Sequence, residues 1–419
     1  MSEAPKTYHA VWWVPDCKRR FNGSKHTGTL KYNGDENSTL EVYHEPSQGT
    51  VFRAYEHYDV VWGESAGGQL FSLFNLVFSS QQDYTKTSFN VNFILIGAHV
   101  LTLEEPCFDT CVSRFEFLKD WAFSQRITQS STQDAEDFHL DMSQREPLTS
   151  VEIEEGITTY LWSELSYHVT RDSLAAEQNT NYDIEIKEKG SIRDYLSIIS
   201  EFTEFLSIAL FAPQHPYEIR LKNKGEYQSC QLLYKQHRSY NPRHVTLIKY
   251  DKLKDRIPSM LFEWHSNHEQ VAPIVSYLVR SIRYDNPFDT PDFLIIAQAL
   301  DGYFKRFLNK KDGKDTHKYK DGIDKLLTRY KDVDVIKQIK LDSTVLEQSR
   351  NKYSHLIPDD DKKHQNAATG TDLFWLTQKC KILLTCCILD MLGLSVGEIN
   401  LCCNQSPLGY IINAFPIEP

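Results

Sequence analysis

The chain has 419 residues, with 41% hydrophobic and 12% aromatic residues and a formal net charge of −11 at pH 7. This length indicates two or three domains, and the composition excludes a disordered chain. The negative charge argues against a protein that coats nucleic acid non-specifically.

The first part of the chain is predicted to be antiparallel β structure. Turn clusters such as NGDEN and ESAGG separate short runs rich in β-branched and aromatic residues, a pattern typical of a sandwich or barrel. The runs lie at 8–14, 27–32, 38–43, 50–55, 58–64, 69–78 and 88–100. The glycine-rich GESAGG lacks the following helix and lysine of a phosphate-binding loop, so it predicts a hairpin turn. His99, in the last run, is interpreted as a structural histidine.

An acidic segment follows the β-rich part. Residues 131–188 hold 14 Asp/Glu against 3 Lys/Arg, a net charge of −11. We expect this segment to form the edge of the first domain and a connection, with loops at SQREPLTS (143–150) and EQNTNYD (177–183). Apolar residues then recur at helical spacing from Ser191 to Leu210. Strands are predicted next at 217–223, 227–235 and 244–250.

The last 130 residues are predicted to be helical. Pro291 stands at a helix start, with Asp292 near the positive end of the helix dipole. Short connections between helices indicate an antiparallel four-helix bundle. The helices are predicted at 291–308, 321–332, 334–356 (with a break at Leu341–Ser343) and 371–394. Pro358 disfavours helical geometry at Ile357, so the third helix should end close to His355. Residues 302–340 hold 12 Lys/Arg against 6 Asp/Glu, a net charge of +6 that would suit a polyanion or simply solubilise a loop and two helix faces.

These elements predict an α+β multidomain protein. It would have a β-rich, sandwich-like N-terminal sensor or regulatory domain (1–170), a mixed α/β middle region (171–285) and an all-α bundle (286–419). No secretory signal is evident at the N-terminus, and the apolar ILLTCCILDMLGL is about half as long as a membrane span. Nine cysteines without a CxxC pair or zinc spacing favour buried reduced thiols. We therefore expect a cytoplasmic protein with no membrane partner, no metal and no other cofactor.

The stretch SRNKYSHLIP places Arg350 and His355 at a predicted helix end. Spacing alone carries little weight, because Arg20 with His26 and Arg238 with His244 fit the same loose pattern in turn-rich stretches. A purely structural pair is the simplest alternative, since cationic groups are favoured at a helix C-terminus. The context of Arg350 differs from the other two cases in the helix end, in Asn351 directly after it, and in the bundle.

The last third resembles the HEPN ribonuclease superfamily, whose small helical bundles carry Arg-x4–6-His with a polar residue, often Asn, after the arginine. RNKYSH fits that form. The runs WWVP, TGTLKY, VVWGESAGG, FILIGAHV and FEFLKDWAF resemble the N-terminal domain of ApeA-type abortive-infection proteins, which join such a β-rich domain to a C-terminal HEPN domain. Asp301, in QALDGYFKRF, stands where related domains often carry glutamate, and it is expected to support the arginine.

The residue types fit metal-independent RNA cleavage. The 2′-hydroxyl of RNA is the nucleophile, His355 can transfer protons, and Arg350 can stabilise charge on the phosphoryl oxygens. Asn351 would orient the histidine or contact the substrate, and Lys352 and Tyr353 are candidate RNA contacts. Five residues of ideal helix amount to a rotation of about 140°, so one pair converges poorly on one phosphate. The resemblance implies a homodimer or higher homo-oligomer in which two pairs meet.

The resemblance thus implies an endoribonuclease of bacterial anti-phage abortive infection, restrained or triggered through its N-terminal domain by an unidentified phage signal. Host RNA, with tRNA as the first guess, would be cut to leave a 2′,3′-cyclic phosphate. Two alternatives stay open at this point. One is a non-catalytic HEPN-like protein for RNA binding or dimerisation. The other is a metal nuclease using the run Asp359–Asp361, for which a solvated loop is the simpler interpretation.

Overall fold

The structure, a computed structural model, describes most of the chain. The described residues are 5–16, 25–44, 52, 55–82, 85–123, 127–131, 136–140, 147–169, 174–224, 228–235, 237, 239–240, 245–283, 290–309, 318–358 and 362–414. The chain divides into two compact units, one formed by 1–200 with 214–239 and the other by 201–213 with 240–419. The predicted boundaries at 170 and 285 stay predictions.

The first unit is built mainly from antiparallel strands. The described strands are β1 Lys6–Trp13, β2 His26–Tyr32, β3 Ser38–Tyr43, β4 His57–Ser65, β5 Leu70–Gln82, β6 Lys86–Ile96, β7 Phe108–Phe115, β8 Ile127–Ser131, β9 Glu136–Leu140, β10 Thr149–Glu154, β11 Ile157–Val169, β12 Leu174–Gly190, β13 Pro216–Lys222 and β14 Cys230–Tyr234. The predicted antiparallel β-rich domain is confirmed. Of the predicted run at 50–55, the described residues Phe52 and Tyr55 lie outside these strands.

Six of these strands close into a barrel. β1, β2, β3, β6, β5 and β4 pair in a ring, because β6 pairs with β3 on one side and with β5 on the other. The core is apolar and contains the buried ring of Trp12. This ring lies so close to the backbone of two strands that only glycine fits at the positions facing it. A Cβ atom at Gly63 would lie 2.2 Å from the ring, and one at Gly28 would lie 2.8 Å from it. The sequence left open whether these strands form a sandwich or a barrel, and the structure shows a barrel.

The same sheet continues outward from the barrel. The second half of β6 pairs with β14, and the order then runs β13, β7, β12, β11 and β10. The predicted loop at 177–183 is wrong, because these residues lie inside β12 and pair with β11. Their polar side chains occupy a strand whose 181–185 part is paired on both sides. The predicted hairpin at GESAGG is confirmed, since the Gly68 N–H donates to the Ser65 carbonyl and Gly68 has φ +78°.

Asp183 on β12 should make the first unit less stable as the pH rises. Its Oδ1 is buried without a hydrogen-bond partner among the described residues. Burial raises the pKa of Asp183 to about 7, Glu164 adds to this rise, and Arg114 opposes it. The folded chain therefore holds a proton that the unfolded chain has released above its ordinary pKa near 4. Stability present at pH 4 is lost as the pH rises to about 7, by up to about 4 kcal/mol.

Denaturant unfolding at pH 4.5 and pH 8 checks this prediction. Asp183→Asn should remove most of the difference in unfolding free energy between the two pH values. Asp120→Asn, at an exposed aspartate of the same unit, is the matched control and should leave the difference in place. An unchanged pH dependence in Asp183→Asn would contradict the assignment.

The second unit is helical. The described helices of the chain are α1 Leu118–Trp121, α2 Ile192–Leu210, α3 Tyr250–Leu253, α4 Ile257–Arg283, α5 Thr290–Tyr303, α6 Tyr319–Arg329, α7 Asp334–Ile339, α8 Ser343–Ser354, α9 Gly370–Met391, α10 Val396–Asn404 and α11 Pro407–Asn413. A π-helical turn, Phe304–Leu308, continues α5, and 3₁₀ turns lie at Lys254–Arg256 and Lys362–His364. The predicted bundle helices are confirmed, including the break before Ser343.

Helices α5, α6, α8 and α9 pack against one another, and α4 packs on α5 and α9. The strand predicted at 244–250 is wrong. Its described residues 245–249 have no regular structure, Leu247 and Ile248 are fully buried, and Tyr250 begins α3. The apolar run that indicated a strand is therefore a buried connection. The 27-residue α4 was not anticipated from the sequence, in which Pro273 interrupts the pattern.

Candidate functional site

Helix α8 carries the predicted site, and its start is strongly fixed. Lys340 adopts a left-handed conformation (φ +43°) that ends α7. The Asp342 side chain then caps α8 by accepting from the Thr344 and Val345 N–H groups at 2.7 and 3.3 Å. Ser349, buried on the inner face, accepts from the Ala368 N–H at 2.8 Å. Helix α8 is thus held by its cap and by the chain segment before α9.

The end of α8 places His355 outside the bundle. The His355 N–H donates to the Asn351 carbonyl at 3.1 Å, and the Ile357 N–H donates to the Lys352 carbonyl at 2.9 Å. Leu356 between them has φ +50°, so the end has the pattern of a Schellman cap. The predicted helix end close to His355 is confirmed. The His355 side chain is exposed, and within the described chain it makes no hydrogen bond or ion pair.

Leu356→Gly should stabilise the helix end. Leu356 is 87% exposed, so little burial is lost, and a left-handed conformation costs a non-glycine residue about 1–2 kcal/mol. The greater chain entropy of glycine in the unfolded state offsets part of this gain, so we expect about 0.5–1 kcal/mol in unfolding free energy. Leu356→Ala is the control, because it keeps the strain. Equal unfolding free energies for the two variants in denaturant titrations would contradict the strain argument.

The guanidinium of Arg350 lies against neutral groups. Its Nη1 donates to the Asn351 Oδ1 at 3.0 Å, and its Cζ lies 5.4 Å from the centroid of the Tyr319 ring. The Tyr319 hydroxyl donates to the Ala297 carbonyl of α5 at 3.0 Å. Burial raises the pKa of Tyr319 well above its ordinary value, with a smaller contribution in the same direction from Asp301. Sequence reasoning missed Tyr319, for which an aromatic residue after a basic loop was the one available signal.

The structure brings Arg350, Asn351 and Tyr319 together but keeps His355 apart. Asn351 contacts the arginine through its side chain, and its carbonyl accepts from the His355 backbone. No contact joins the two side chains of the predicted pair in the part of the chain that the structure describes. Arg350 lies half-buried against α6 while His355 is exposed, in keeping with the rotation expected between them.

Asp301 is in α5, one helical turn beyond Ala297. Its carboxylate pairs with Lys305 at 3.2 Å, and no ion pair with Arg350 occurs among the described residues. It lies three residues before the π-helical turn that contains Lys305, and π-helical turns are frequent at functional sites. The predicted support of Arg350 by Asp301 stays a prediction.

The two candidate RNA contacts differ in accessibility. The Tyr353 hydroxyl is turned inward and donates to the Ala368 carbonyl at 2.9 Å. The Tyr353 ring meets Phe293 edge-on, with centroids 6.1 Å apart. Lys352 lies with its Nζ 5.9 Å from the centroid of that ring. An RNA contact by the hydroxyl would therefore need this internal bond to break.

The other candidates are accounted for separately. Asp359–Asp361 lie outside the described residues. His99 stacks on Trp62 with ring centroids 4.6 Å apart, and its Nε2 lies 3.1 Å from the Gly63 carbonyl. Burial lowers the pKa of His99, and these packing contacts fit a structural histidine. Among the described residues no set of three or more His, Cys, Asp or Glu side chains is arranged to hold a metal ion.

The cysteines match the prediction of reduced thiols where they can be seen. Eight of the nine are described, none of these eight forms a disulfide, and all but Cys107 are buried. Burial raises the pKa of Cys380 and Cys387, so these thiols are poor nucleophiles. Cys17 lies outside the described residues. Within the described helices, none has both the length and the apolar character to cross a membrane.

Two family models match the chain. Residues 7–264 match the ApeA N-terminal domain 1 family, and residues 294–398 match the Apea-like HEPN family. The second match contains Asp301, Tyr319, Arg350 and His355. Searches of curated proteins and of solved structures found no match.

Proposed function

We propose, from the premise that this chain belongs to the ApeA family and is a HEPN-type anti-phage defence protein, that it is a metal-independent endoribonuclease. The observation that carries the proposal is the position of Arg350 and His355. Both lie at one helix end inside the HEPN match, one held against neutral groups and the other exposed.

The chemistry follows from these two side chains. A base removes the proton of the 2′-hydroxyl, which attacks the adjacent phosphate, and an acid protonates the leaving 5′-oxygen. Histidine changes protonation near neutral pH, so His355 can act in proton transfer. The guanidinium of Arg350 presents several N–H donors to the phosphoryl oxygens as their charge grows. The products are a 2′,3′-cyclic phosphate and a 5′-hydroxyl, and DNA is inert because it lacks the nucleophile.

Two copies of the chain would complete the site. Arg350 lies against α6 and His355 is exposed beyond the helix end, so one copy offers its two groups in different directions. In a homodimer formed through the HEPN domain, the pairs of two copies would face one groove. Exposed lysines of the second unit, Lys318, Lys325 and Lys331, carry the positive charge that attracts a polyanion.

In this proposal the enzyme acts in the cytoplasm on host RNA, tRNA being the first candidate, after the N-terminal domain (1–170) responds to a phage signal. Loss of that RNA would halt translation and growth before phage release.

Infection of cells that express wild type or Arg350→Ala tests the proposal. We expect new RNA ends, mapped by sequencing, in infected cells with wild type and none above background with the variant at equal protein level. Ends that appear equally in both strains would contradict the role of Arg350.

A non-catalytic HEPN-like protein for RNA binding or dimerisation is the second candidate. It is favoured by the contacts of Arg350 with Asn351 and Tyr319, which a purely structural arginine would also make. In this reading the wild type binds RNA without cutting it, and Arg350→Ala lowers stability or dimerisation. Sedimentation of both proteins, with RNA added at low and high salt, separates binding from cleavage.

A further inference from the structure

Tyr319 is fixed by two helices before it meets Arg350. It is the first residue of α6, after Lys318 in extended conformation. Its hydroxyl donates to the Ala297 carbonyl of α5, and its ring is half-buried between these helices and α8. A ring anchored at its hydroxyl end has little freedom to move, so it is a rigid surface for a neighbouring group.

Arg350 is held without being neutralised. Its guanidinium lies over the Tyr319 ring at 5.4 Å and bonds the Asn351 amide oxygen. No carboxylate pairs with it in the described part of the chain. A carboxylate partner would fix the side chain but would also offset its charge, whereas a ring face and an amide oxygen fix it and leave the full charge. At most one of its five N–H donors is used by Asn351, so donors remain for a phosphate.

Tyr319 is unsuited to proton transfer itself. Burial raises the pKa of its hydroxyl well above the ordinary value, and the hydroxyl proton is committed to the Ala297 carbonyl. The phenol therefore stays neutral at physiological pH, which also preserves the electron-rich ring face that attracts the guanidinium.

We infer that Tyr319 is a positioning residue for Arg350, which it holds in place with its charge free for the scissile phosphate. This inference rests on the proposed ribonuclease activity. It assigns no contact of Tyr319 with RNA: the tyrosine acts through the arginine. Its effect should therefore disappear when the arginine is absent.

A double-mutant cycle tests the inference. Tyr319→Leu should lower kcat about 10-fold with KM changed less than threefold, the size of a cation–π contact in a partly desolvated site. In the Arg350→Ala background the same change should have no further effect on kcat. Tyr319→Phe keeps the ring and should lose about threefold or less. Equal losses from Tyr319→Leu in both backgrounds would overturn the inference.

The control removes the ring from a second arginine–tyrosine contact in the same unit, in which the arginine is paired with Asp390. Arg329 lies over the Tyr330 ring with its Cζ at 5.8 Å from the centroid. Tyr330→Leu should lower the melting temperature while leaving kcat within about twofold, since a destabilised but folded chain keeps its site. A kcat loss in this control as large as that of Tyr319→Leu would show a general packing effect and overturn the inference.

A second readout does not depend on activity. The Arg350 Nε–H resonance, identified by its absence in Arg350→Lys, should be shifted by the ring current of Tyr319, which lies 5.4 Å from the Arg350 Cζ. We expect it to move toward the position of a free arginine in Tyr319→Leu and to stay in Tyr319→Phe. An unmoved resonance in Tyr319→Leu overturns the inference. If wild type cuts no RNA while the resonance moves as expected, the proposed activity fails and the positioning geometry stands.

Discussion

Replacing His355 by alanine is expected to lower the rate of RNA cleavage by about 10²–10⁴-fold, the usual worth of general acid–base catalysis. His355 is exposed and in the described chain makes no side-chain bond, so its loss removes a reacting group without removing a packing contact. The melting temperature should stay within about 2 °C of wild type, as for surface substitutions. Single-turnover cleavage of labelled tRNA by protein isolated from infected cells measures the rate.

Arg350→Lys is the companion variant for this prediction. A lysine keeps the positive charge but loses the planar fork and the fit against the Tyr319 ring. We expect a loss of at least about 10-fold in kcat, smaller than the loss in Arg350→Ala. Wild-type rates in both His355→Ala and Arg350→Lys would remove the pair from the mechanism.

The largest expected effect on stability lies in the same bundle, at a buried ion pair. Lys381 of α9 and Asp292 of α5 are 8% and 7% exposed, and the Lys381 Nζ lies 2.9 Å from the Asp292 Oδ2. The ammonium also donates to the Ser281 carbonyl at 3.3 Å. Lys381→Met should therefore cost about 3–5 kcal/mol in unfolding free energy, because it leaves a carboxylate buried without its partner.

The double variant Asp292→Asn with Lys381→Met is the control. It removes both charges, so it should recover much of the loss. Denaturant titration followed by helical circular dichroism measures all three proteins. A double variant that is less stable than the single one, or a single variant within 1 kcal/mol of wild type, would contradict a coupled buried pair. From the sequence, Asp292 was expected to interact with the helix dipole. Its pairing with Lys381 was not predicted, because that contact depends on packing between helices that are distant in sequence.

Local patterns predicted much of the fold. Alternation and turn clusters located most barrel strands, and helical spacing located α2 and the bundle helices. Local patterns could not predict that the barrel closes. Closure depends on β6, which pairs with β3 and β14 along one edge and with β5 along the other edge. For the same reason, the polar residues at 177–183 were wrongly predicted to form a loop, and the apolar residues at 247–248 were wrongly predicted to lie in a strand. Their state is set by neighbours in space rather than by their own composition.

The candidate site was predictable in part. The spacing of Arg350 and His355, together with Asn351 and the helix end, pointed to α8. Tyr319 was not foreseen, because its contact with Arg350 joins residues 31 positions apart across a basic loop. The ion pair of Asp301 with Lys305, one turn along the same helix, was not foreseen either.

The end chemistry of the cleaved RNA tests the proposed ribonuclease activity most directly. Wild type isolated from infected cells is incubated in excess EDTA with total tRNA and, separately, with single-stranded DNA. We expect cleavage of the RNA alone, products with 2′,3′-cyclic phosphate and 5′-hydroxyl ends, and cleavage at least about 100-fold slower with His355→Ala. Cleavage that EDTA abolishes, that extends to DNA or that proceeds at the wild-type rate in His355→Ala would contradict the proposed mechanism, as would intact tRNA in every sample.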